Sequence, residues 1–249
     1  MNRKHIQPAF ALVLSLVSVQ AHADVSDTMA VKNAHQQKAL ILAQILNSDA
    51  IMIGDDKSDV KAEKLMLELL EGNAEFAALE AEYPGIGSDI ARAVLPVINK
   101  YSRTRLPELH KRQSALYRRN FSESEIDRLV EFYASPTGQK LISSLIENMQ
   151  PTEMMKEAKA SENFEMSAVS ALKDLRKTVP AVLEDMNDED TTVLEKFGRS
   201  GLLGRMKAMA IETQSIGIEW MNESAPGEDE EIEVAITAVV DKRIGKTSQ

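Results

Sequence analysis

Cysteine is absent from all 249 residues. No disulfide can brace this chain, so its stability must come from an apolar core. The same absence excludes thiol nucleophiles, iron–sulfur clusters, covalent haem attachment and the cysteine-linked anchor of bacterial lipoproteins. Histidine is scarce: four in all, and only His35 and His110 beyond the first 23 residues. A structural zinc site would need both of these plus carboxylates, and they stand 75 residues apart. Each reads instead as a solvated or helix-capping side chain, with His110-Lys111-Arg112 placed to favour the carbonyls of a helix end. No metal and no cofactor is expected. Positive charge is also in deficit, 29 Lys and Arg against 39 Asp and Glu, a formal −10. That balance opposes binding to DNA, RNA or anionic lipid, because there is no basic surplus to release phosphate counterions. It fits a well-solvated acidic surface or a face for cationic partners.

Catalytic and nucleotide motifs are missing too. There is no G-x-S-x-G, since Arg199-Ser200-Gly201 lacks the preceding glycine. There is no phosphate loop and no dinucleotide-binding glycine pattern. The acidic stretch from Asp185 has Asp190 where a calcium loop needs glycine and Lys196 where it needs its final glutamate. Carboxylate pairs such as Glu147 with Glu153, or Asp127 with Glu131, are ordinary on acidic helices and do not mark a glycosidase.

Long apolar runs are absent as well. The longest clear one, Ala9–Val19, is short of the ~20 residues of a spanning helix. It follows Arg3 and Lys4 and precedes Ala21-His22-Ala23, the three parts of a secretory signal peptide cleaved after Ala23. The sequence thus predicts a periplasmic protein with neither membrane span nor lipid anchor once processed. Cleavage would remove two basic residues and no acids, moving the charge from −10 to −12.

What is present is helical period almost throughout, which predicts an all-α, antiparallel bundle of about 8–10 helices and no β-sheet. Residues 24–31 read as a flexible N-terminus. A stripe through Ala39, Leu42, Ala43 and Leu46 ends at Asn47-Ser48-Asp49. After a loop at Gly54-Asp55-Asp56, a second helix carries Leu65, Leu69 and Leu70 and stops at Gly72, where Asn73 can cap a short third. Tyr83-Pro84-Gly85-Ile86-Gly87 is a turn. A long helix then spans Ser88–Arg119, with Pro96 and Pro107 expected to kink it or split it in two. Later helices run through Leu145 and Met149, and from Pro151 onward. Glu223 to Glu231 reads as an acidic exposed linker, 232–244 as a last docked helix, and Lys246–Gln249 as frayed.

The most explicit stretch is Asn120–Leu141, N-F-S-E-S-E-I-D-R-L-V-E-F-Y-A-S-P-T-G-Q-K-L. Ser122 and Glu125 have capping-box spacing, and Phe121 with Ile126 has the spacing of a hydrophobic staple. Ile126, Leu129, Val130 and Tyr133 form one face. Ser135 caps again, with Pro136 at the first helical position, where its missing N–H is not needed. Gly138, within the first turn, is explained by close approach of another helix. Tyr133, Ser135 and Lys140 are residue types that do chemistry elsewhere, yet only Gln139 and Lys140 are left without a structural task. An acidic capped start leading into F-Y-x-S-P-x-G-x-K-L, here Phe132, Tyr133, Ser135, Pro136, Gly138, Lys140 and Leu141, resembles the bacterial family called domain of unknown function 2059. The resemblance covers about 85–150; it implies a helical fold and often export, and supplies no catalytic residues.

At an offset of 65 residues the pattern returns in weaker form. Asp185 to Asp190 is another capped acidic start, and Leu194, Phe197, Ser200, Arg205, Met206 and Ile211 align with Leu129, Phe132, Ser135, Lys140, Leu141 and Ile146. Gly198 and Gly201 replace Tyr133 and Pro136. A real repeat would divide the chain into helical parts at about 32–150 and 151–222.

Met149, Met154, Met155 and Met166 gather at one helical join; thioethers can bind soft copper, but their apolar-face positions favour core filling. Trp220 reads as a half-buried packing residue. The functional reading is a non-catalytic binding or scaffold domain of the cell envelope, with another envelope protein or a second copy as partner. The alternatives are a hydrolase of envelope material with a dispersed carboxylate and basic site, and a homo-oligomeric structural module.

Overall fold

The computed structural model describes residues 29–47, 56–161 and 165–247. The leader, its cleavage point and the Gly54-Asp55 loop lie outside these. The described residues form twelve α-helices and no strand, so the all-α expectation holds with more, shorter helices than foreseen. In order they are α1 (Met29–Leu46), α2 (Asp56–Leu70), α3 (Ala74–Glu82) and α4 (Ile86–Asn120). Then come α5 (Glu123–Ala134), α6 (Pro136–Asn148), α7 (Thr152–Ala160) and α8 (Ala168–Asp185). The last four are α9 (Asp188–Gly198), α10 (Leu202–Ala208), α11 (Ala210–Asn222) and α12 (Glu228–Thr247).

The fold is organised on α4. At 35 residues it is about 52 Å long. Its first half packs into a core with α2, α3 and α12 through Ile86, Ile90, Val94 and Ile98. Leu106 and Leu109 enter a second core, with Trp220 of α11 and the methionines of α7. Leu116 and Tyr117 enter a third, with α1, α5 and parts of α6, α9 and α10. Pro96 and Pro107 do not split this helix, as one reading of the sequence allowed. Both prolines are solvent-exposed, while buried Leu95, Val97, Leu106 and Leu109 flank them. The lost hydrogen bonds therefore fall on the wet face, and burial opposite holds the helix together.

Two expectations about the ends need correcting. α12 starts at Glu228, inside the stretch whose charge reads as an exposed linker. Glu228 is buried; its carboxylate accepts from the Ala225 amide at 2.8 Å and faces Arg105, and burial pushes its carboxyl above the usual range. Trp220 is not half-buried but 2 % exposed. Its Nε1 donates to the Arg105 carbonyl at 3.1 Å, and the Arg105 guanidinium lies 4.8 Å from the ring centre.

Both histidines serve carbonyls at helix ends. His35 pairs with the Phe121 carbonyl closing α4, at 3.0 Å. His110 is not itself near a helix end; it is buried midway along α4 and reaches the Asn47 carbonyl just past α1.

Candidate functional site

The signature folds as its spacing dictates. Ser122 and Glu125 form the capping box, the Ser122 amide donating to Glu125 Oε2 at 2.8 Å. Phe121 and Ile126 are buried in one cluster, as a staple requires. Ser135 Oγ accepts from the Gly138 amide at 3.2 Å, with Pro136 opening α6. At Gly138 a Cβ would lie 2.7 Å from Tyr133 Cα and closer still to the Phe132 carbonyl oxygen. The close approach is therefore the backbone of the preceding helix, folded hard back on α6.

Gln139 and Lys140 are not free of structural work. Gln139 Nε2 donates to the Tyr133 carbonyl at the end of α5. Lys140 Nζ donates to Asp190 Oδ2 at 2.5 Å, and Thr137 Oγ1 to Asp190 Oδ1 at 2.9 Å. The Lys140 ammonium, with Thr137 and the Asn187 amide, holds the Asp190 carboxyl below the ordinary range. Tyr133 is buried, which pushes its phenol up to about 12. Ser135 Oγ is committed to the Phe132 carbonyl at 2.6 Å and to its cap. Tyr133, Ser135 and Lys140 thus each have a packing or hydrogen-bonding task.

The positions that the 65-residue offset aligns meet one another. Phe132 stacks on Phe197 with ring centres 3.8 Å apart and planes 3° from parallel. Lys140 of α6 pairs with Asp190 of α9, and reciprocally Arg205 of α10 pairs with Glu125 of α5. Glu125 and Asp190 are each the third residue of a capped helix, after Ser122 and Asn187. A self-paired aromatic flanked by two reciprocal ion pairs is the contact pattern of a local two-fold axis. Symmetry fades beyond it, since α6 has 13 residues and α10, entered through Gly201 at φ 78°, only seven.

A second exchange fixes α7. Pro151 offers no side-chain cap there; buried Asp174 of α8 does so instead, accepting from the Glu153 and Met154 amides at 2.9–3.0 Å. Glu157 of α7 returns the favour at the start of α8, accepting from the Ser167 amide at 3.0 Å and hydroxyl at 2.9 Å. Met154, Met155 and Met166 pack in the adjoining core, which is the core-filling role their spacing implies.

So held, α7 forms one wall of a half-open groove of about 750 Å³, with α2 as the other wall and the α6–α7 connection at its end. That volume lies in the range of small-molecule sites. Lys61 and Lys64 come from α2, and Lys156 and Lys159 from α7, each pair three apart on one helix face. Leu65, Pro151 and Met155 contribute the apolar lining, with Val60, 69 % exposed, at the edge. Lys61 donates to the Met149 carbonyl at 2.8 Å and the Ile146 carbonyl at 3.3 Å, and burial lowers its pKa. This site has no local signal in the sequence. Its two K-x-x-K pairs lie 95 residues apart in the chain, and such pairs are commonplace on solvated helices. Among the described residues no group of three or more His, Asp or Glu is arranged to hold a metal ion, and no helix is long and apolar enough to cross a membrane.

Residues 107–165 match the family described as an uncharacterized protein conserved in bacteria, DUF2059. The match runs from the second half of α4 through α5, α6 and α7, so it starts later and ends later than the signature alone implied. No curated protein and no solved structure matches the chain.

Proposed function

We propose that this is an exported protein of the bacterial cell envelope, working as a non-catalytic helical binding domain. The observation that carries the reading is the α2–α7 groove, where four lysines converge over an apolar floor with two carboxylates, Glu68 and Glu147, among its lining. A surplus of positive charge beside apolar surface, four lysines against two glutamates, suits the holding of an anionic ligand. The signature supports the same reading, because its polar side chains are spent on caps and ion pairs that hold α5, α6 and α9 together. Export rests on the leader pattern before Asp24.

The test is a photo-crosslinking residue placed at Gln150, an exposed residue of the groove lining, in cells, with fractionation. A periplasmic protein whose N-terminus is Asp24 is expected, with a discrete crosslinked adduct, protein or small molecule, absent when the probe sits outside the groove lining at exposed Val234 of α12. Retention in the cytoplasm, or identical adducts from both positions, would contradict it.

A further inference from the structure

The lining of the groove says what class of ligand it takes. Four lysines against two glutamates give it a local charge of about +2, inside a chain whose total is −10. The sign of the whole-chain charge is thus reversed locally at this place. Extended anionic surfaces are repelled by the summed field, but a small ligand seated here meets the nearest charges first, because exposed charges beyond a Debye length of about 8–10 Å are screened.

The four lysines differ in what they are doing. Lys61 is turned to the carbonyls that end α6. Lys64 has only a 3.8 Å pairing with Glu68, made while 77 % exposed, which holds it weakly. Lys156 and Lys159 make no ion pair among the described residues; the long stem of Lys159 lies near Gly72. Three ammonium groups on two facing walls are thus available to a ligand, and the start of α7, the wall that carries two of them, is capped by Asp174. Between the walls, half-buried Leu65 and buried Met155 form the apolar lining where it backs onto the Trp220 core, and Val60 leaves apolar surface at the edge.

We infer that the groove binds a single-chain anionic amphiphile, a fatty-acid-like molecule with its carboxylate among Lys64, Lys156 and Lys159 and its chain along Leu65 and Met155. The charge calls for an anionic head and the apolar strip for a tail. A strip of so few side chains suits one chain better than the two of a phospholipid. This inference rests on the binding reading above and names its ligand.

The experiment is titration calorimetry of dodecanoate, below its micelle-forming concentration, into the mature protein. Parallel titrations use dodecyl maltoside, dodecyltrimethylammonium and inorganic phosphate. The expected result is one saturable dodecanoate site whose affinity falls with added salt, with each of the other three ligands about tenfold weaker or worse. Lys156→Gln with Lys159→Gln should weaken dodecanoate about tenfold while the far-ultraviolet circular dichroism and Tm stay unchanged. Lys64→Gln, on the other wall, gives the same direction should the α7 variant fold poorly. Absence of dodecanoate binding, equal binding of the neutral or cationic chain or of phosphate alone, or indifference to all lysine variants would overturn the inference. If dodecanoate fails but the probe at Gln150 still crosslinks a discrete adduct in cells, the ligand class is wrong and the binding reading stands. If both fail, the binding reading falls too.

Discussion

At Gly138 the chain has no room for a single carbon. An added Cβ would press on the Phe132 carbonyl and Tyr133 Cα, both backbone, so neither neighbour can yield by changing rotamer. Gly138→Ala should cost about 2–3 kcal/mol of stability by overpacking, despite alanine's better helix propensity. Urea unfolding measures it, and a stabilised variant would refute the close approach. Asp190 carries a prediction of another kind. Lys140 chiefly, then Thr137 and the Asn187 amide, hold its folded carboxyl below the unfolded value of about 3.9. The folded state therefore binds fewer protons than the unfolded state, so this stabilisation is complete above about pH 4–5 and is lost as pH falls through the folded value. Asp190→Asn should lower Tm at pH 7 and make the fall in Tm below pH 4 shallower than in the unaltered protein. An unchanged pH profile would show that the pair does not stabilise the fold. The caps and turns at this scale were legible in sequence because they are local: Ser122 with Glu125, Ser135 with Gly138 and Asn73 with Phe76 are each three residues apart. The partners of Lys140, Asp174 and Trp220 were not, because they lie 50, about 20 and 115 residues away.

Pairs of helices show where sequence pattern ends and packing begins. The 65-residue offset aligned the start of α5 with that of α9, and the structure brings those aligned positions face to face at Phe132 and Phe197. A stacked pair at 3.8 Å should act as a unit. In a double-mutant cycle, Phe132→Ala and Phe197→Ala should be non-additive by about 1 kcal/mol. Strict additivity would mean that the two rings contribute independently and that the local two-fold carries no energy of its own. At α4, of the two outcomes the prolines allowed, a kink or a split, the split does not occur, because burial on the face opposite them holds the helix together. Pattern misled at α12, where an acidic run conceals a helix start whose first carboxylate is buried against Arg105. In both places the deciding contact is tertiary, and no local propensity could have displayed it.

Across the whole molecule, α4 carries three cores in series, and the signature hairpin is fastened to one end of it. The matched family segment, residues 107–165, supplies that fastening together with one wall of the groove; the other wall, α2, lies outside the match. Stability and binding should therefore be separable: the signature maintains the frame, and the groove lysines meet the ligand. The most direct test is one set of dodecanoate titrations comparing Lys140→Met with the Lys156→Gln, Lys159→Gln double variant, each with its Tm. Lys140→Met should lower Tm and leave dodecanoate affinity within about twofold, whereas the double variant should keep its Tm and lose about tenfold in affinity. A Lys140→Met protein with unchanged Tm and lost binding, beside a double variant that binds normally, would place the working surface on the signature and contradict the account.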